Sequence, residues 1–102
     1  MNFECRQTGS VMTVEFLGDI DEYACRTMRE EIDGRIEKTS PKEVVFDMEK
    51  VAFVDSTGLG LILGRYKKLR AKGGVLRLKN VPPQVDKVFR TSGVYSVVEK
   101  IR

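Results

Sequence analysis

The chain has 102 residues, 41% hydrophobic and 32% charged, with a formal net charge of +3. That is the composition of one small globular domain spanning residues 1–102, not of a disordered tail. The complete absence of histidine excludes Ser-His-Asp and Cys-His nucleophiles, HExxH zinc chemistry and most imidazole acid–base schemes.

Lysines and arginines are scattered among acids and Trp is absent, so no nucleic-acid partner is expected. The start, Met1-Asn2-Phe3-Glu4-Cys5-Arg6, lacks the basic-then-apolar order of a signal peptide, and no apolar run approaches the roughly 20 residues of a membrane span. Cys5 and Cys25 have neither CxxC nor secreted-scaffold spacing and read as reduced, small apolar residues of a cytoplasmic protein without a membrane partner.

Along the chain, Thr8-Gly9-Ser10 is a turn between two short strands. In the second strand Met12, Val14 and Phe16 alternate with Thr13 and Glu15. Asp21 stands where an N-cap belongs, ahead of a helix running roughly from Glu22 to Lys38. Ala24, Met28, Ile32 and Ile36 form its buried stripe. Val44-Val45-Phe46 reads as a fully buried strand. Val51-Ala52-Phe53-Val54 is then expected to run as an apolar strand into Asp55-Ser56-Thr57-Gly58.

A second helix follows to about Lys72, with Leu59, Ile62, Leu63, Tyr66 and Leu69 as its core stripe and Gly73-Gly74 as its stop. Lys67, Lys68, Arg70 and Lys72 load its last turns, as the helix dipole favours. Val75 to Leu78 is another strand, and Pro82-Pro83 opens a short helix carrying Val85, Val88 and Phe89. The apolar segment from Val94 to Ile101 is placed as a final strand. The order ββαβαβα(β) predicts an α/β domain. Its mixed central sheet has four to five strands, with right-handed crossovers and helices mainly on one side.

The junction Asp55-Ser56-Thr57-Gly58-Leu59-Gly60 carries the chemistry. It puts Ser56 at the C-terminal edge of the sheet, where ligands of α/β proteins bind. There Ser56 either caps the second helix or accepts a phosphate, which free N–H groups and the helix dipole would stabilise. Gly58, Gly60 and Gly64 do not make a phosphate-binding loop, because neither GxxxxGK[ST] nor GxGxxG is present. The flanks of Ser56 do not match GxSxG, and no SxxK spacing supports a Ser-Lys dyad. No enzymatic activity of its own and no cofactor or metal are expected.

On a helical wheel, Gly60, Gly64, Lys68 and Leu61 lie opposite the core stripe, with Arg65 beside them. Two glycines on a solvent-facing helix side each cost about 1 kcal/mol relative to Ala. This bare face reads as a docking surface for another protein, unless the glycines pack closely against a neighbouring element. Asp19, Asp21 and Asp55 are expected around Ser56, with Asp21 also suited to capping. A phosphoserine would add roughly −1.5 to −2 charges there and would switch docking off.

These residues resemble the anti-sigma factor antagonists, the single-domain members of the STAS class, over nearly the whole chain. The carriers are Leu17-Gly18-Asp19-Ile20-Asp21, Val44-Val45-Phe46-Asp47 and Asp55-Ser56-Thr57-Gly58-Leu59-Gly60. Ile62-Leu63-Gly64-Arg65-Tyr66-Lys67 with Gly73-Gly74 is similar to the sporulation branch. The resemblance implies that the unphosphorylated chain binds an anti-sigma factor serine kinase and frees its sigma factor. That kinase then phosphorylates Ser56, and a metal-dependent serine phosphatase resets the cycle.

Asp21 and Asp55 are then the flanking acids, Thr57 a secondary acceptor, and Gly58, Leu59 and Gly60 the start of the docking helix. A monomer or weak dimer is expected. The family often continues past its last strand with a C-terminal helix, whereas this sequence reaches Arg102 soon after Ile101. Two rival readings remain: a STAS subunit of a stress-sensing scaffold or lipid-transport complex, and a ligand-binding or hydrolytic domain using Asp55 and Ser56.

Overall fold

A computed structural model describes residues 2–101. The chain runs β1 (Phe3–Thr8), β2 (Val11–Phe16), α1 (Glu22–Thr39), β3 (Glu43–Asp47), α2 (Ser56–Ala71), β4 (Val75–Lys79), α3 (Pro83–Ser92), a 3-10 turn (Val94–Ser96) and β5 (Glu99–Ile101). The five strands lie in the order β1-β2-β3-β4-β5. β1 and β2 form an antiparallel hairpin whose turn is allowed by Gly9 at φ +60°. The remaining neighbours pair in parallel.

Each parallel crossover moves one strand further in the same direction, so right-handed connections place the three helices on one face of the sheet. Strand periodicity agrees with that layering. Met12 pairs with Val44 and Val14 with Phe46, and Val44 and Phe46 in turn face Leu76 and Leu78. All six are buried. Thr13, Glu15, Glu43 and Arg77 occupy the alternate positions and are half-buried on the open face. There Arg77 ties Glu43 at 3.0 Å to Glu99 at 2.8 Å.

Between sheet and helices sits one apolar cluster. It joins Phe3, Phe16 and Phe46 to Met28, Ile32 and Ile36 of α1, Ile62 and Leu69 of α2, and Val85 and Phe89 of α3. Phe16 and Phe46 meet edge to face with centroids 5.0 Å apart. On α3, Asp86 fastens the end of the fold. It accepts hydrogen bonds from Tyr95 (2.7 Å), Lys100 (3.0 Å) and Arg90 (2.6 Å).

Three expectations are corrected. Val51 to Val54 is not a strand: β3 already fills the place between β2 and β4, and only Val54 forms an isolated parallel bridge, to Ile20. Phe53 points outward and is 53% exposed. The final apolar segment divides into the 3-10 turn and the short β5. The buried arc of α2 is wider than one stripe, because α2 packs on α1 as well as on the sheet. Leu61 and Arg65 are therefore buried, while Leu59, Leu63 and Tyr66 are half-buried.

Candidate functional site

The bridge between Ile20 and Val54 brings together the loops that precede α1 and α2. The Ile20 N–H donates to the Phe53 carbonyl (3.0 Å), the Asp55 N–H to the Ile20 carbonyl (3.3 Å), and the Ala52 N–H to Asp19 Oδ1 (3.3 Å). As a result the N-termini of α1 and α2 lie side by side, at the C-terminal edge of the parallel strands. Both helices return against the strands, so they run parallel and their positive ends coincide.

Each helix is capped by an aspartate. Asp21 Oδ1 accepts from the Ala24 N–H at 2.9 Å. Asp55 Oδ1 accepts from the Gly58 N–H at 2.8 Å, and its Oδ2 accepts from the Glu22 N–H of α1 at 3.0 Å. One carboxylate thus satisfies donors on both helices. The capping alternative for Ser56 falls: Asp55 is the cap, and Ser56 is the exposed first residue of α2, followed by the exposed Thr57.

The three glycines of this stretch differ in role. A Cβ on Gly58 would overlap the Ile20 carbonyl oxygen and lie 2.8 Å from Val54 Cγ1. Gly58 is the contact by which α2 crosses the Ile20 backbone, and it is buried. A Cβ on Gly60 or Gly64 would meet nothing within 4 Å. Those two are open, so the close-packing alternative does not apply to them.

Leu61 and Arg65 leave the surface on which they were expected. Leu61 is buried and lines the space between α1 and α2. The Arg65 side chain is 5% exposed, its Nε 2.8 Å from Asp33 Oδ1, with Lys68 Nζ 3.4 Å from Asp33 Oδ2. The Nε–Oδ1 approach is off-line, and neither atom completes a hydrogen bond. Arg65 Nη1 is also buried without a partner among the described residues. Burial pulls the Arg65 pKa below its ordinary value, and the Asp33 carboxylate opposes that shift. Lys68 remains exposed.

Between the N-terminal halves of α1 and α2 lies a groove of about 360 Å³, lined by Glu22, Cys25, Arg26, Arg29, Thr57, Gly60 and Leu61. Burial, with Asp55 and Asp21 nearby, raises the Cys25 thiol pKa, so the thiol stays protonated and inert. Two exposed aromatics flank the site, Tyr23 (82%) and Phe53 (53%). Sequence reading passed over Tyr23, Arg26 and Arg29, and placed Phe53 in an apolar strand. The available signal was an aromatic at position 23, off the stripe formed by Ala24 and Met28. Among the described residues, no three His, Cys, Asp or Glu side chains gather to hold a metal ion. No described helix is long and apolar enough to cross a membrane.

The chain matches the STAS domain family over residues 2–102. It is 30% identical over 98 residues to the anti-sigma F factor antagonist of Paenibacillus polymyxa, an alignment covering 96% of this chain and 84% of that protein. Its fold superposes on the unphosphorylated anti-sigma factor antagonist SpoIIAA with a TM-score of 0.85 at 30% identity, covering 98% of this chain and 88% of the other. The phosphorylated form of the Bacillus cell fate determinant SpoIIAA gives a TM-score of 0.76 at 29% identity, with coverages of 98% and 91%.

Proposed function

The chain belongs to the STAS domain family, and from that premise we propose that it is a cytoplasmic anti-sigma factor antagonist, acting by binding and not by catalysis. In this reading the unphosphorylated chain docks on an anti-sigma factor serine kinase through the end that presents Ser56 and makes the kinase release its sigma factor. The observation that carries the reading is the placement of Ser56. It is an exposed hydroxyl at the first position of α2, flanked by the two capping carboxylates Asp21 and Asp55.

The kinase transfers the γ-phosphoryl group of ATP to Ser56 Oγ. The new O–P bond forms as the bond to the ADP oxygen breaks, and the hydroxyl proton leaves to a base on the kinase. Asp21 and Asp55 are poor candidates for that base, because their carboxylates already accept backbone N–H groups. Once formed, the phosphate gains from the helix N-terminus and is repelled by the two aspartates. At about 6 Å and an effective dielectric of about 20–80, each unit-charge pair is worth roughly 0.7–3 kcal/mol. One such pair at the interface moves affinity by about threefold to a hundredfold.

Thr57, Leu59, Gly60, Gly64 and Lys68 form the rest of the docking face. Gly58, Leu61 and Arg65 support it from beneath. A metal-dependent serine phosphatase restores Ser56, and the free protein is a monomer or weak dimer. The test is intact-mass and phosphosite mapping after incubation with ATP and the cognate anti-sigma kinase. One added phosphate of about 80 Da on Ser56, absent from Ser56→Ala, is expected. An unmodified chain beside a demonstrably active kinase would refute the reading.

A further inference from the structure

Ser56, Gly60 and Gly64 follow at four-residue spacing and share one face of α2. Gly60 is also part of the groove between α1 and α2, where it and Thr57 stand opposite Arg26 and Arg29. With no Cβ on Gly60, the wall one turn along from Ser56 is bare.

The opposite wall is cationic. Arg26 is paired with Glu22 at 3.5 Å in an exposed contact, which is worth little in water. Arg29 forms no ion pair among the described residues. One turn beyond Leu61, the buried Arg65 adds a third guanidinium, close enough to Arg29 and Cys25 for each to influence it electrostatically. Asp33 is its counter-charge. The capping carboxylates of Asp21 and Asp55 stand at the helix N-termini beside Ser56, while Glu22 lines the groove next to its partner Arg26. A dianion on Ser56 is therefore pushed from the caps and drawn toward the groove, where a planar guanidinium can bind two of its oxygens at once.

Resting on the reading of Ser56 as the phosphoacceptor, we propose that its phosphoryl group folds over Gly60 into the α1/α2 groove and is held there by Arg29, with Arg26 at the mouth. Phosphorylation then closes the docking face with an ion pair internal to the chain, in addition to setting a negative charge before the partner.

The test uses the full chain with phosphoserine incorporated at position 56 during synthesis, so that it does not depend on any kinase. The phosphorus resonance is followed by NMR across the second ionisation, which lies near pH 6 for a free phosphoserine. Arg29→Gln is expected to weaken the acidity of the phosphate about threefold or more. Arg29→Lys should keep most of the native value, and Arg6→Gln, on the open sheet face, should leave it unchanged. Arg26→Gln should give a smaller change in the same direction as Arg29→Gln. Identical titration of the native and Arg29→Gln phosphoproteins, both folded by their amide spectra, would overturn the proposal. That result would leave the antagonist reading standing, since the latter fails only if a kinase does not modify or release the chain.

Discussion

At position 58 a single methyl group decides how close α2 can come to the Ile20 backbone. Gly58→Ala should destabilise the fold by about 1–3 kcal/mol, through overpacking against the Ile20 carbonyl and Val54. Gly60→Ala and Gly64→Ala enter open space inside a helix and should each stabilise it by about 1 kcal/mol. Urea unfolding midpoints check both signs. On the proposed docking face, the same two variants should bind the anti-sigma factor more weakly while being more stable. Stability rising with unchanged binding would remove the two glycines from the interface. Sequence reading found the three glycines and the capping role of Asp21, since composition and local spacing report them directly. It could not separate Gly58 from the other two, because the atom that crowds position 58 belongs to Ile20, 38 residues away. For the same reason it left open whether Ser56 was the cap: Asp55 reaches both helices only once the Ile20–Val54 bridge is made.

Between elements, the polar contact of Arg65 with Asp33, with Lys68 beside it, joins α1 to α2. Removing one partner of such a pair leaves an uncompensated charge, whereas replacing the charge with an apolar side chain of similar size is often neutral. Asp33→Ala should therefore cost about 2–4 kcal/mol, toward or below the low end for buried pairs because Asp33 keeps 16% exposure. Arg65→Met should cost far less or nothing, a contrast that chemical denaturation reads directly. At the other end of the molecule, Asp86 holds Tyr95, Lys100 and Arg90. The Tyr95 hydrogen bond, followed by that of Lys100, depresses the Asp86 pKa from an ordinary 3.8 to about 2. A carboxyl with a depressed folded-state pKa contributes stability above its unfolded value and loses it as pH falls toward the folded value. Native β5 packing should therefore weaken between about pH 4 and pH 2, and Asp86→Asn should flatten that acid limb in a pH series of unfolding curves. Helix positions were legible because α1 carries a four-residue apolar repeat and each helix has a stop. The burial of Leu61 and Arg65 was not, because a wheel drawn for one packing partner does not register a second helix on the flank. The Val51 to Val54 stretch misled for a related reason: its apolar residues pack at a loop without joining a ladder.

Across the whole molecule, the parallel order β2-β3-β4-β5 confines the helices to one side and leaves a charged sheet face on the other. It also sets two capped helix N-termini at one edge, with Ser56 exposed at the first position of α2 and the α1/α2 groove beginning one residue on, at Thr57. The element order and the layering followed from the sequence, as right-handed crossovers allow few alternatives for ββαβαβαβ. The groove did not, because it is made by side chains from two helices that only the sheet brings together. One phosphate on Ser56 should turn partner binding off. The most direct measurement is titration calorimetry of the cognate anti-sigma kinase against the unphosphorylated chain and against the chain carrying phosphoserine at position 56. Binding is expected for the first and at least tenfold weaker binding for the second, a difference of about 1.4 kcal/mol or more. Equal affinities for the two forms would mean that the phosphate is not the switch.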